Sequence, residues 1–153
     1  MQIINNADFA TGIILRHPTT SSSVDEVLLQ KKDSGYPWSK SEWCFFGGKI
    51  EKEESPLRTF QREVLEELGI EVKDVTHFAT YPFTDLNVDG KKVRRGNSHV
   101  FVADYDGQIS NIKLREGAGF AFLSPYELAK HPVVDHEMYI LRDFYRLNYG
   151  INI

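Results

Sequence analysis

The chain has 153 residues, 41% of them hydrophobic and 12% aromatic, which is the profile of one ordinary soluble globular domain and not of two. At this length roughly two-thirds of the unfolded surface is buried on folding, so the core needs neither disulfides nor a structural metal. The 18 Lys and Arg against 22 Asp and Glu leave a net charge of -4, which gives no cationic field for nucleic acid or anionic membrane. With Cys44 as the only cysteine, an internal disulfide and a cysteine-based zinc site are excluded. Residues 1–18 lack a basic stretch followed by a long apolar core, and no run approaches the roughly 18 apolar residues of a membrane span. The chain is therefore expected to be neither exported nor membrane-spanning, with the cytoplasm as its compartment.

In chain order, Phe9 to Arg16 and Glu26 to Lys32 read as strands separated by the polar loop HPTTSSSVD. Trp43 to Phe46 reads as a buried strand, and Gly47-Gly48 is expected to end it. A helix begins with Ser55 as N-cap and Pro56 in the first position, carries Leu57, Phe60, Val64 and Leu68 on one face, and stops at Gly69. The stretch from Ile70 to Asp104 is strand-rich, with Asp89-Gly90 as a two-residue hairpin turn. Phe120 to Leu123 is a further short strand, and Ser124-Pro125-Tyr126-Glu127 is a capping box opening a short helix. The last helix is expected from Asp135 to about Asn148, with Met138, Leu141, Phe144 and Tyr145 inward. Strands interleaved with helices argue for an α/β or α+β sandwich around a mixed sheet.

The chemistry concentrates between Gly48 and Ile70. Glu63, Glu66 and Glu67 share one side of the first helix, away from its packing face. Like charges at these spacings repel by a few tenths of a kcal/mol per pair, and a cation reverses that sign. Oxygen ligands without thiols or imidazoles suit Mg²⁺ or Mn²⁺. Read in full, Gly48, Glu54, Arg62, Glu63, Val64, Glu66, Glu67, Gly69 and Ile70 stand at the spacing G-x5-E-x7-R-E-U-x-E-E-x-G-U, U being aliphatic. The segment resembles the Nudix box at every specified position, a match expected by chance about once in 10⁹ start positions from ordinary residue frequencies. Trp43 to Gly47 and Glu116-Gly117 also look like the family.

The resemblance implies a single Nudix-type α/β/α sandwich over residues 1–153. It implies an enzyme that hydrolyses a nucleoside diphosphate linked to another group. The metals would be held by Glu63, Glu66, Glu67 and the carbonyl of Gly47, would bridge diphosphate oxygens and would acidify the attacking water. Arg62 would orient a carboxylate, Glu54 would brace the loop against the helix, and Lys49 would offset phosphate charge. By similarity Glu116 would be a further ligand or base, and Asp135 would read the base edge, although Asp135 could equally cap the last helix. Phe46 stands where many members have proline. No downstream pattern marks an ADP-ribose or dinucleoside polyphosphate hydrolase, which leaves a nucleoside triphosphate as the first reading. A nucleoside diphosphate sugar or related conjugate is the alternative, with a non-catalytic nucleotide-sensing module behind it. The partner is then a small nucleotide, with nucleic acid and membrane unexpected and a homodimer compatible.

Other residues carry plainer readings. Lys91, Lys92, Arg94 and Arg95 could grip phosphates or a nucleic-acid end but are read first as solubilising a hairpin and protecting an edge strand, and Cys44 as a small buried apolar residue. The histidines show no metal-ligand spacing. Tyr36 and Trp38 are left between base stacking and none.

Overall fold

The computed structural model describes residues 3–18 and 24–153, so most of the loop expected between the first two strands lies outside the described residues. Strand β2 (Phe9–Arg16) runs through the middle of the sheet, parallel to β7 (Lys92–Asp104) from Phe9 opposite Ser98 to Leu15 opposite Asp104. On its other side β2 pairs antiparallel with β5 (Phe46–Lys49) and β3 (Glu26–Lys31). Beyond β3 lie β4 (Trp43–Cys44) and β8 (Gly119–Leu123), both antiparallel to it. The long β6 (Lys73–Leu86) pairs with β7, and β1 (Ile3–Asn6) lies parallel to the start of β7. The sheet is mixed.

Period-2 alternation sends neighbouring apolar residues to opposite faces. Ile13, Val27, Leu29 and Val100 meet Leu128 of α2 (Pro125–Leu128) and Ile140, Leu141, Phe144 and Tyr145 of α3 (Asp135–Tyr149). Ala10, Ile14, Leu28 and Phe101 meet Phe60, Val64 and Leu68 of α1 (Pro56–Leu68). Helices thus cover both faces, as the α/β/α reading requires. Each large apolar side chain buried in this way contributes about 1.5–3 kcal/mol. No helix among the described residues is long and apolar enough to cross a membrane.

Helix α1 starts and stops as its residues dictate: the Ser55 hydroxyl accepts from the Arg58 amide at 3.2 Å, and Gly69 closes the helix with φ of 66°. Its faces differ from expectation. Leu57 is 40% exposed whereas Glu67 is 3% exposed, because the packing face starts at Thr59 and Phe60 and swings far enough round to take Glu67 under the sheet.

The expected strand from Trp43 to Phe46 is two strands. At Phe45 the chain changes partner, from β3 (Gln30 opposite Cys44) to β2 (Gly12 opposite Phe46), and Gly47-Gly48 lie within β5 instead of ending a strand. Side chains satisfy the backbone at this break: the Phe45 amide donates to Glu137 Oε1 at 2.8 Å, and its carbonyl accepts from Gln30 Nε2 at 3.1 Å. The turn between β6 and β7 is also wider than a two-residue hairpin. It takes in residues 87–91, because Asn87 closes it by accepting the Lys92 amide on its side chain at 2.9 Å and by donating its own amide to the Lys92 carbonyl at 3.0 Å. The capping box at Ser124 forms with both of its hydrogen bonds. Strand β1 was not expected; its short IINN run takes its order from pairing with β7.

Candidate active site

The site is assembled where β5 meets α1. Gly47 has φ of 150°, and a Cβ there would lie 2.2 Å from the Ala10 carbonyl oxygen, so only glycine fits between β2 and the helix. At Gly48 a Cβ would lie 2.5 Å from Glu63 Oε1. The two glycines therefore let the helix carboxylates approach the strand backbone closely, and the Gly47 amide donates to Glu67 Oε1 at 3.2 Å. Glu67 Oε2 accepts from Gln30 Nε2 at 3.3 Å. Because the same Gln30 amide nitrogen serves the Phe45 carbonyl, its orientation is fixed, and it presents a donor to Glu67. Burial first, then the charge and shared hydrogen bond of Glu116, push the Glu67 carboxyl up to about 8, with Lys32 opposing.

Arg62 organises the outer carboxylates. Its guanidinium bonds both oxygens of Glu54, at 2.7 and 2.9 Å, and reaches Glu63 at 3.0 Å and Glu66 at 3.2 Å. The Thr59 hydroxyl donates to the same Glu54 at 2.5 Å. These bonds, Arg62 foremost, draw the Glu54 carboxyl down to about 2. Burial raises that of Glu63, with the Arg62 charge opposing. Glu54 thus ties the loop before α1 to the helix, and Arg62 faces carboxylates.

Glu63, Glu66, Glu67 and Glu116, with Arg115, line an acidic recess of about 220 Å³. Glu116 reaches it from the turn before β8, where Gly117 has φ of 88°. Among the described residues no three acidic, histidine or cysteine side chains converge as a finished metal cage, since Arg62 occupies Glu63 and Glu66. The donor chemistry nonetheless fits a hard divalent cation: the side chains are all oxygen donors, and the carboxyl of Glu67, raised by burial and then by Glu116, would be relieved by positive charge.

The recess opens into a cleft of about 300 Å³ that also includes Gln30, Lys32, Tyr36, Trp38, Asp85, Arg94, His136 and Glu137. Lys49 and Asp135 are not among its walls. Lys49 is exposed at the end of β5 opposite Phe9, and Asp135 is the exposed first residue of α3, where Val134 and not Asp135 takes the capping position. Lys32 stands where a phosphate cation was sought in Lys49, its ammonium 4.4 Å from the Tyr36 ring centroid. Arg94, read as a hairpin solubiliser, faces the cleft because β7 alternates and Val93, on the opposite side, is buried. Gln30, Lys32, Asp85 and Glu137 were missed as site residues. None of them carries a clear sequence signal: Gln30, the most buried, stands where the apolar run of β3 gives way to Lys31 and Lys32. Two buried side-chain atoms lack a partner among the described residues, Gln30 Oε1 and Ser39 Oγ, and both residues line the cleft. Burial pushes the Cys44 thiol far up, so it stays protonated and inert.

Residues 8–144 match the family model described as NUDIX domain. The chain is 30% identical over 105 residues to the CTP pyrophosphohydrolase of Escherichia coli (strain K12), an alignment covering 69% of this chain and 72% of that protein. Its fold is similar to the solution structure of the E. coli ORF135 protein (TM-score 0.70, 25% identity, 96% of this chain and 94% of the other). It is also similar to the MutT protein from Methanosarcina mazei Go1 (TM-score 0.72, 20% identity, 94% and 96%).

Proposed function

Because this chain belongs to the NUDIX domain family and is a Nudix hydrolase, we propose that it cleaves nucleoside triphosphates to the monophosphate and pyrophosphate with Mg²⁺ or Mn²⁺ as cofactor. The observation that carries the reading is Glu67, buried yet lining the acidic recess, with both oxygens held by fixed donors and Glu116 beside it. The identity to a CTP pyrophosphohydrolase supports a triphosphate over a sugar conjugate.

In this reading Glu63, Glu66, Glu67, Glu116 and the Gly47 carbonyl would hold the metal. When bound, it would supply positive charge against the diphosphate and acidify water. The remaining roles belong to the chain itself. Arg62 and Glu54 position the helix carboxylates, and Lys32 offsets phosphate charge inside the cleft. Glu67 and Glu116 are the pair able to hold or take a proton at the reacting end. The whole is read as one domain acting on a small molecule in the cytoplasm.

The test is a panel of nucleoside triphosphates, nucleoside diphosphate sugars and dinucleotides, incubated with Mg²⁺, with chelator, and with metal restored. Products are resolved as monophosphate, pyrophosphate and inorganic phosphate. Pyrophosphate from a triphosphate, lost with chelator and regained with metal, is expected. Turnover of conjugates alone would transfer the reading to the sugar-linked class, and undiminished activity in chelator would end the metal assignment.

A further inference from the structure

The far end of the cleft holds a side-chain set that the hydrolytic reading does not use. A small recess there is lined by Phe9, Asp85, Arg94 and His136 among others, and it shares no residue with the acidic recess although both open into the same cleft. A molecule lying along the cleft with its diphosphate at the carboxylates would have the Arg94 recess available to its other end.

Arg94 is packed against two aromatic rings and held along one edge. Its guanidinium carbon lies 5.0 Å from the Phe9 ring centroid and 4.5 Å from that of Trp38. Nε and Nη2 both reach Asp85 Oδ2 at 3.0 Å. The other oxygen of Asp85 faces His136 Nδ1 at 3.3 Å, and the His136 ring stacks on Phe83 with centroids 5.8 Å apart. No described residue bonds Nη1. One face of the Trp38 ring is therefore taken up by the arginine. What remains on offer is a rigid planar fork, with the N–H groups of Nη1 and the remaining one of Nη2 lying in one plane.

Such a fork matches two adjacent acceptors in a plane. Cytosine offers O2 and N3, and guanine offers O6 and N7. On adenine and uracil every such acceptor is flanked by a donor or stands alone. We propose that Arg94 is a specificity-determining residue that selects a nucleobase presenting two adjacent acceptors, with Asp85 as the positioning residue that sets the plane of the fork. This rests on the nucleotide reading above.

The test uses CMP, GMP, AMP and UMP as ligands, since they need no turnover, with binding read by tryptophan fluorescence and by thermal shift. The wild type is expected to bind CMP or GMP about tenfold or more tightly than AMP and UMP, the scale of one bidentate base contact. Which of the two wins distinguishes cytosine from guanine. Arg94→Lys keeps the charge but loses the fork, and should bring the four ligands within about twofold of one another while leaving AMP and UMP unchanged. Asp85→Asn should lower the same ratio, and it carries the test if Arg94→Lys fails to fold. An equal loss for all four ligands would make Arg94 a phosphate contact, and an unchanged ratio in both variants would remove it from recognition. Either result overturns the proposal, as does a wild type without preference. Selective binding of monophosphates without hydrolysis of any triphosphate would overturn the functional reading and leave this one standing.

Discussion

Replacing Glu67 by Gln should give a metal-free protein whose stability relative to wild type changes sign with pH. In the folded chain the Glu67 carboxyl is raised from 4.5 to about 8, by burial first and by Glu116 second. Between those values the folded chain keeps a proton that the unfolded chain releases, so wild-type stability falls as pH rises through the window and the loss is complete above it. At about 1.4 kcal/mol per pKa unit, the penalty at pH 9 amounts to several kcal/mol. Gln carries no such penalty. It does lose one acceptor, because the Gly47 amide and Gln30 Nε2 both donate to Glu67, and an unmet buried donor costs about 1–3 kcal/mol. The variant should therefore be less stable than wild type by about 1–3 kcal/mol near pH 4.5, and more stable by about 2–4 kcal/mol near pH 9. The latter is a gain of roughly 4–16 °C in Tm for a chain of this size. Added Mg²⁺ should favour the wild type, which gains about 2.7 kcal/mol at a hundred times its Kd, and turnover of the variant should fall by about 10²–10⁴-fold. Melts across pH 4.5 to 9, with and without Mg²⁺, read all of this. Parallel pH curves for the two proteins would refute the burial argument, and equal Mg²⁺ shifts would remove Glu67 from the metal site.

Gln30→Met keeps the volume of the side chain but withdraws its donor from Glu67. Loss of a ligand's hydrogen-bond partner should weaken Mg²⁺ binding by about 10–100-fold, seen as a displaced midpoint when Tm is titrated with Mg²⁺. His17 lies outside the cleft, with Nδ1 2.5 Å from Asp25, which also accepts from the Tyr149 hydroxyl. Its pKa is raised, chiefly by the Asp25 hydrogen bond, so its stabilisation is present below 6.5 and is lost as pH climbs through the raised folded value. Since the ring is mostly exposed the effect is below about 1 kcal/mol, and His17→Asn should flatten the slope of Tm between pH 6 and 8 by that much.

Local chemistry made part of this protein legible in its residues. The start and stop of α1 follow from Ser55, Pro56 and Gly69, and the spacing of Glu54, Arg62, Glu63, Glu66 and Glu67 specifies a helix face and its ion pairs without reference to the rest of the fold. Strands β2, β3 and β8 announce themselves by composition, and the capping box at Ser124 by its four residues. What the residues could not convey is which chain segments are neighbours. Three-to-four-residue periodicity put Leu57 inside and Glu67 outside, yet the angle at which α1 meets the sheet decides burial, and it buried Glu67 against Gly47 and Gln30. The break at Phe45 depends on Glu137, distant in the chain, to satisfy its amide. Lys49 and Asp135 sit exposed beside the right segments and are not among the walls of the cleft, whereas Lys32 and Arg94 were brought into it by strand register and pairing. A one-residue step in a strand exchanges the faces of a sheet, so sequence proximity to a motif indicates a neighbourhood, and only the pairing of β2, β3, β5 and β7 settles which side chains share the cleft.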